Sequence, residues 1–174
     1  MKISLVILEC HSPEDPRLKS LIIDNQWAVL VAASQQGNYI VVNEITKDYT
    51  TENWLFLPVD IHPLSVGFHH AHTSFTLLLL DKPARFHVIY HCISLGLALK
   101  SSITGVFFDK LKKCTDIVWK DMVYLLDKII SSNNLKELQH FDWCVNHKKF
   151  LHSAKELDNQ VIIHYIQTYN KYFA

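Results

Sequence analysis

Residues 62–100 constrain the fold of this chain more than any other stretch. They hold six of the eleven histidines and the most apolar short run of the chain, residues 74–80. A breaker, Asp81-Lys82-Pro83, follows this run, and then come residues 84–100, whose apolar side chains surround most of a helical circumference. A short apolar run bounded by turn residues is typical of a buried strand, whereas a helix that is apolar all round packs between other elements. This stretch therefore predicts a strand followed by a buried helix.

Five other short runs are rich in β-branched or aromatic residues, and each of them predicts a strand. They are residues 3–8, 27–33, 39–45, 54–59 and 103–108. The runs 27–33 and 39–45 flank a five-residue loop that contains Gly37 and Asn38, which favours a β-hairpin. The polar residues 46–53 have no apolar period, so we interpret them as a loop and as a candidate binding loop.

Four segments have helical periodicity and predict helices. They are residues 16–24, 84–100, 116–131 and 153–172. Asp81 followed by Pro83 is a candidate helix start, because a capping carboxylate and the fixed φ of proline both favour one. Ser153 and Glu156 form a capping-box pattern at the start of the last segment. Residues 135–152 fit a helix and a strand equally well.

The order of these elements predicts an α+β fold. We expect a mainly antiparallel sheet of about five to seven strands, with the helices packed mostly on one face. The 174 residues are ordinary for one domain, so we expect a single α+β domain over residues 1–174. We find no internal sequence repeat and no glycine-rich loop with Walker or Rossmann spacing. The abundance of Asn, Lys, Tyr, Phe and Ile indicates an AT-rich bacterial or viral genome.

The composition excludes several classes of function. Lys plus Arg and Asp plus Glu both number 17, so the chain lacks the basic excess of a nucleic-acid binder. No run approaches the ~18 apolar residues of a transmembrane helix, and the run 3–8 is too short for a signal peptide. The four cysteines, among them Cys92 in the predicted buried helix, have no paired spacing, which is typical of free thiols in a reducing compartment. We therefore expect a cytoplasmic protein that binds neither nucleic acid nor membrane.

Four histidines form the one pattern in the sequence that points to chemistry. His70 and His72 are two residues apart and share a face if they lie on a strand. His87 and His91 are four apart and share a face of the predicted helix. A strand–helix unit could bring both pairs together as ligands for zinc or a similar divalent metal. In the alternative interpretation, His70 and His72 form the polar start of a strand, and His87 and His91 lie at the more solvated edge of the buried helix. The protein then has no cofactor.

Two classes of function stay open, and the sequence does not decide whether the chain is an enzyme. The first is a small cytoplasmic protein that acts by binding another protein without catalysis, such as an immunity, adaptor or effector-type protein. It predicts an exposed surface rich in aromatic residues, which we expect around residues 46–54. The candidate aromatic anchors are Tyr49, Trp54, Trp143, Tyr169 and Tyr172. In the alternative interpretation each of them belongs to the core or its edge. The second is a hydrolase, with or without a metal, and it predicts a pocket in which at least three of the four histidines meet.

Overall fold

Every regular element in the described part of the chain is a helix. The computed structural model describes the backbone of residues 2–173 and the side chains of residues 2–170. Helices account for 72% of the structure, and residues 2–173 contain no strand. The predicted α+β fold with a mainly antiparallel sheet is therefore wrong, and the described chain is all-α.

The helices follow one another through short connections. In chain order they are α1 (Ile3–Glu9), α2 (Pro16–Gln35), α3 (Tyr39–Thr46), α4 (Thr51–Leu55), α5 (Pro63–His69), α6 (Thr73–Leu79), α7 (Phe86–Leu99), α8 (Thr104–Lys112), α9 (Trp119–Ser131), α10 (Asp142–Val145), α11 (Lys148–Glu156) and α12 (Gln160–Phe173). The ambiguous residues 135–152 hold a 3-10 helix (Leu135–Phe141), α10 and the start of α11. The chain divides into two compact units, one that ends at Thr115 and one that begins at Asp116. The single domain over residues 1–174 stays a prediction.

The predicted strands are wrong because burial in these segments follows a helical period. In α3, Val41, Val42 and Ile45 are buried, an i, i+1, i+4 pattern that differs from the alternation of a strand. The length of the runs is misleading, because apolar runs of four to eight residues favour strands and these helices span only seven to nine residues. Residues 3–8 lie in α1, 27–33 in α2, 39–45 in α3, 54–59 at the end of α4 and beyond it, 74–80 in α6 and its C-cap, and 103–108 in α8 and its N-cap.

Two predicted helices near the N-terminus and the middle of the chain are confirmed. Residues 16–24 form the first half of α2, which begins at Pro16. Residues 84–100 contain α7, which is buried along most of its length. The helix start predicted at Asp81 is wrong, because the connection continues past Pro83, whose carbonyl accepts a hydrogen bond from a tryptophan ring.

The two predicted helices of the C-terminal half differ in outcome. Residues 116–131 contain α9, so that helix is confirmed. Residues 153–172 do not form one helix, because α11 ends at Glu156 and the backbone reverses at Asp158, where φ is +49°. The predicted capping box is wrong as well, since Ser153 is buried inside α11.

One helical hairpin recurs five times along the chain. Each copy has a first helix, a reversing turn and a second helix, and each turn contains a residue with positive φ. These residues are Gly37, Ala71, Lys100, Asn133 and Asp158, and they are the positive-φ residues of the described chain. The residue that follows donates its backbone N–H to the carbonyl five positions earlier, as in a Schellman turn. The five bonds, of 2.9–3.0 Å, run from Asn38 to Ala33, from His72 to Gly67, from Ser101 to Gly96, from Asn134 to Ile129 and from Asn159 to Ala154.

The residue that accepts this bond, which we call the crossing residue, is small in four of the five copies. The reason is that the second helix crosses the first at this point. A methyl group on Gly67 would lie 2.4 Å from the ring of Phe75, and one on Gly96 would lie 2.6 Å from the hydroxyl of Thr104. Twelve residues beyond the crossing residue every copy buries an apolar side chain, namely Ile45, Leu79, Phe108, Phe141 and Ile166. The hairpin is thus a structural repeat whose copies share few residue identities.

Successive hairpins of the N-terminal unit stack through their first helices. α5 packs against α2 and also against α7. Turn side chains tie neighbouring elements together: the side-chain amide of Asn38 donates to the carbonyls of Ile7 and Cys10. In the next copy, Nε2 of His72 lies 2.6 Å from the carbonyl of Gln35. Stacked helical units, each in contact with its neighbours, make the architecture of solenoid proteins.

The C-terminal unit is built from α9, α11 and α12, which pack against one another. The ring of His147 stacks on that of Trp119, with centroids 4.2 Å apart, and its Nδ1 accepts the backbone N–H of Lys149 at the start of α11. Trp143 lies beside this pair, 5.7 Å from Trp119. In residues 2–173, no helix combines the length and the apolar character needed to cross a membrane.

Candidate functional site

A groove of about 430 Å³ lies between the second half of α2 and the connection that follows α3. We call it the aromatic groove, and its lining residues are Gln26, Trp27, Tyr49, Glu52, Asn53, Phe56 and Leu57. Two large aromatic side chains at this groove are strongly exposed, with 48% of Trp27 and 60% of Phe56 accessible to solvent. Leu57 is buried and belongs to the core beneath.

The first wall exists because α2 breaks at Asn25. Its backbone is extended there, with φ −161° and ψ 82°, and its side-chain oxygen accepts the backbone N–H of Ala28 at 3.2 Å. Asn25 therefore caps a new helical segment, as an N-cap asparagine does. Trp27 lies in the first turn of this segment, while Val29 and Leu30 face the core.

The second wall is oriented by Trp54, which is only 4% exposed. Its indole N–H donates to the carbonyl of Pro83 at 2.9 Å, and the ammonium group of Lys82 lies 4.6 Å from its ring centroid. A residue two positions further along a helical turn points to the opposite side, because each residue rotates by about 100°. Burial of Trp54 thus places Phe56 on the outside, at the groove.

A hydrogen bond joins the two walls. The hydroxyl of Tyr49 donates to the side-chain carbonyl of Gln26 at 2.8 Å. Burial raises the pKa of the Tyr49 phenol, so this hydroxyl keeps its proton at neutral pH. The bond holds the Tyr49 ring in place against the start of the second segment of α2, which lowers the conformational entropy lost on ligand binding.

A second, smaller pocket of about 250 Å³ is lined by α2, α5 and α7, the first helices of three successive hairpins, and by the connection before α5. Its lining residues are Val31, Gln35, Val59, Asp60, Ser65, Val66, His69, His70 and His91. We call it the histidine pocket. The rings of His69 and His70 meet edge to face, with centroids 5.2 Å apart. Both residues end α5, whereas His91 is an exposed residue of α7.

The structure brings together two of the four histidines predicted as zinc ligands. His70 and His91 line the histidine pocket, whereas His72 contacts the backbone at the end of α2, and His87 lies near the buried His62. The strand that would align His70 with His72 does not exist, because the turn at Ala71 separates α5 from α6. Within the described residues no group of three or more His, Cys, Asp or Glu side chains could hold a metal ion. The zinc site stays a prediction. The hydrolase alternative requires three of the four histidines in one pocket, and this pocket contains two of them.

His62 has a structural role that the sequence did not indicate. It is 1% exposed, and its Nδ1 accepts the backbone N–H of Leu64 at 3.1 Å, which caps α5. Burial, with a smaller contribution from the charge of His87, lowers its pKa to about 3. The imidazole is therefore neutral at physiological pH, as its acceptor role requires.

The thiol of Cys92 is also structural. Cys92 is completely buried, which confirms the prediction made for it, and burial raises its pKa to about 12 although the hydroxyl of Ser65 lies 4.0 Å away. All four cysteines are free thiols, and Cys114 is the most accessible of them. A thiol with so high a pKa is not a nucleophile at neutral pH.

Sequence reasoning found one wall of the aromatic groove and missed the other. Residues 46–53 were interpreted as a loop and a candidate binding loop. The loop is wrong in part, because α3 ends at Thr46 and α4 begins at Thr51. Tyr49 lies in the remaining connection and lines the groove, whereas Trp54 is buried. Trp27 carried a signal that could have identified it, because the polar run Asp24-Asn25-Gln26 before it marks the break in α2. Among the other candidate anchors, Trp143 and Tyr169 are half-buried, and the side chain of Tyr172 lies outside the described residues.

The groove and the pocket are two concave features of the described chain on which a function can be argued. The aromatic groove combines exposed aromatic rings with a fixed tyrosine, and the histidine pocket combines imidazoles with one carboxylate. Comparison of the chain with protein-family models, with curated proteins and with solved structures gives no match.

Proposed function

We propose that this protein binds another protein through the aromatic groove and performs no catalysis. The observation that carries the proposal is the exposure of Trp27 and Phe56, 48% and 60%, beside a groove of about 430 Å³. Single exposed apolar side chains are common on protein surfaces. Exposed aromatic rings grouped around a concave site are typical of the residues that dominate binding energies at interfaces.

The architecture supports the same proposal. Stacked helical hairpins form an extended surface, and solenoid proteins use such surfaces for recognition. The groove lies where the connection between the first two stacked hairpins passes the start of the second segment of α2.

The charge and the cysteines favour the kind of protein we expected from the sequence. Lys plus Arg equals Asp plus Glu, which favours a protein partner over a nucleic acid or an anionic membrane surface. The four free thiols are typical of the reducing cytoplasm. A small cytoplasmic immunity, adaptor or effector-type protein combines these properties.

The proposal is tested by selection of phage-displayed random dodecapeptides on the purified, immobilised full chain. The test variant is Trp27→Ser/Phe56→Ser, which removes both exposed rings. The matched control is Tyr124→Ser/Val161→Ser, which removes two other apolar side chains, each 53% exposed, that do not line the groove. Circular dichroism melts verify that all three proteins are folded.

We expect the wild-type protein and the control variant to enrich the same peptide families, and the groove variant to enrich none of them. Because Trp27 and Phe56 are largely exposed, their replacement should leave the melting temperature nearly unchanged. The proposal fails if the wild-type protein enriches no family, or if the groove variant enriches the same families as the wild-type protein.

A further inference from the structure

Three aromatic rings and one carboxylate line the aromatic groove. The rings belong to Trp27, Tyr49 and Phe56, and the carboxylate belongs to Glu52. The faces of aromatic rings attract cations, and tryptophan does so most strongly. A carboxylate next to such rings attracts the same ligand, so both kinds of group select for positive charge.

The carboxylate of Glu52 is free to receive a ligand. It makes no ion pair or hydrogen bond with any side chain among residues 2–170. The nearby Lys47 is occupied, because its ammonium group lies 2.6 Å from the carboxylate of Glu44. Residues 1–60, which include Trp27 and Glu52, carry eight acidic and four basic side chains and so have an excess of negative charge.

The protein already shows this chemistry at the second wall. The guanidinium group of Arg85 lies 4.7 Å from the ring centroid of Phe56, and the ammonium group of Lys82 lies 4.6 Å from that of Trp54. Phe56 nevertheless keeps 60% of its surface exposed, so its contact with Arg85 leaves room for a ligand. On the opposite wall Trp27 is half exposed beside the same groove.

We propose that the aromatic groove receives a lysine or arginine side chain of the partner protein. The aliphatic stem of that side chain packs on the rings of Trp27 and Phe56, while its charged group faces Glu52. Long basic side chains bind in this way because their methylene stems are apolar and their heads are charged. This inference rests on the proposed function and adds the chemistry of the partner: a segment of chain with an exposed basic residue.

The peptide selection separates this inference from the function on which it rests. If the groove-dependent families share a lysine or arginine, both the function and the inference are supported. If those families share apolar or aromatic residues without a basic one, the function stands and the inference is overturned. If no groove-dependent family exists, both fail.

A direct measurement uses small probes of defined charge. The probes are the Nα-acetyl N-methylamides of lysine, arginine and norleucine, which is the uncharged counterpart of lysine. They are titrated into the ¹⁵N-labelled full chain, and the indole N–H signal of Trp27, assigned with the Trp27→Ser variant, reports binding. We expect saturable shifts with lysine and arginine, and at most a weak shift with norleucine.

The role of Glu52 is tested with Glu52→Gln, and Asp109→Asn is the matched control. Asp109 is exposed and does not line the groove, so its replacement removes the same charge from the protein elsewhere. We expect Glu52→Gln to weaken binding of the lysine probe about threefold or more, as loss of an exposed ion pair does, and Asp109→Asn to have no such effect. Equal binding of lysine and norleucine probes, or equal effects of the two variants, would overturn the inference.

Discussion

The ring of Phe75 lies directly against the α-carbon of Gly67. A β-carbon added to Gly67 would come within 2.4 Å of two ring carbons, a distance that non-bonded contacts of real β-carbons essentially never show. Phe75 lies eight residues after Gly67, and three of the other four helical hairpins also bury the side chain eight residues after the crossing residue. These side chains are Val41 after Ala33, Thr104 after Gly96 and Ile162 after Ala154. The size of the crossing residue is therefore matched to the side chain that packs on it.

Gly67→Ala should destabilise the protein, because the methyl group would displace the ring of Phe75. Overpacking costs about 1–3 kcal/mol, and the better helix propensity of alanine offsets up to about 1 kcal/mol of this. Urea unfolding should show a net loss of about 1–2 kcal/mol. In the double variant Gly67→Ala/Phe75→Val the two losses should be less than additive, since valine leaves room for the methyl group. Full additivity would mean that the two residues are not coupled.

Ala71→Gly should stabilise the protein. Ala71 has a φ of +63°, and a left-handed conformation costs a residue with a β-carbon about 1 kcal/mol relative to glycine. The gain in the free energy of unfolding should be a fraction of this, because glycine also gains freedom in the unfolded chain. The reverse change at the equivalent position, Gly37→Ala, should destabilise, since its methyl group would also lie 2.6 Å from the ring of His72. If Ala71→Gly and Gly37→Ala unfolded with the same free energy, this account of the turn would be contradicted.

The buried His62 should make the protein less stable in acid. The pKa of His62 is about 3 in the folded protein, whereas an unburied histidine, as in the unfolded chain, has a pKa of 6.5. Between these two pH values only the unfolded state binds the proton. Stability should fall as the pH decreases from 6.5 towards 3, by up to about 1.4 kcal/mol per pH unit, and His62 should contribute no pH dependence above this window. His62→Asn keeps a side-chain acceptor but does not titrate, so unfolding measured at several pH values should give a smaller slope. An unchanged slope would show that His62 is not the group responsible.

Native thiols should react with N-ethylmaleimide in the order of their exposure. Cys92 is fully buried with a pKa of about 12, and Cys10 and Cys144 are also buried, whereas Cys114 is partly accessible. Since the thiolate is the reactive form, Cys114 should be modified first and Cys92 last. Peptide mapping after timed labelling at pH 7.5 measures this order, and all four thiols should react in guanidinium chloride. Modification of Cys92 as fast as Cys114 would mean that α7 opens readily.

The wrong fold class has a specific cause in the length of the apolar runs. Residues 39–45 and 74–80 are as short as strands and rich in residues that suit strands, and only their i, i+1, i+4 burial identifies them as helices. A run of seven residues contains barely two helical turns, so the period cannot be read from it with certainty. The longer segment 84–100 spans more than four helical turns, so its helical period is readable, and the helix predicted there is confirmed as α7.

The structural repeat was invisible in the sequence for a related reason. Its copies share a positive φ and a set of buried positions, and four of the five share a small crossing residue. Each of these features can be met by several residue types. The spacing between crossing residues also varies, from 25 residues between Ile129 and Ala154 to 34 between Ala33 and Gly67. A pattern without fixed letters or a fixed period leaves no sequence signature of the usual kind.

The aromatic groove could be predicted only in part, because its walls come from separate parts of the chain. Tyr49 belongs to the segment expected to bind, and it lines the aromatic groove, for which binding is a proposal. Trp27 is 22 positions earlier, and only the break at Asn25 and the packing of α2 on the following helices bring it to the same groove. The sequence left open whether Trp54 is an anchor or a core residue. The structure shows it buried, with its indole N–H bonded to the carbonyl of the distant Pro83.

The stacking of hairpins in the N-terminal unit has a consequence for the order in which it forms and comes apart. α1 packs on α2, α2 on α3 and α5, and α5 on α6 and α7, so each substantial contact joins elements that are close along the chain. Short sequence separations between partners lower the entropy that loop closure costs, which is typical of rapid folding. An end element of such an array has a neighbour on one side only, so amide hydrogen exchange should be fastest in α1 and slowest in α5. The aromatic groove, built on α2 and the connection that follows α3, would then lie in a part of the unit that opens before the centre does.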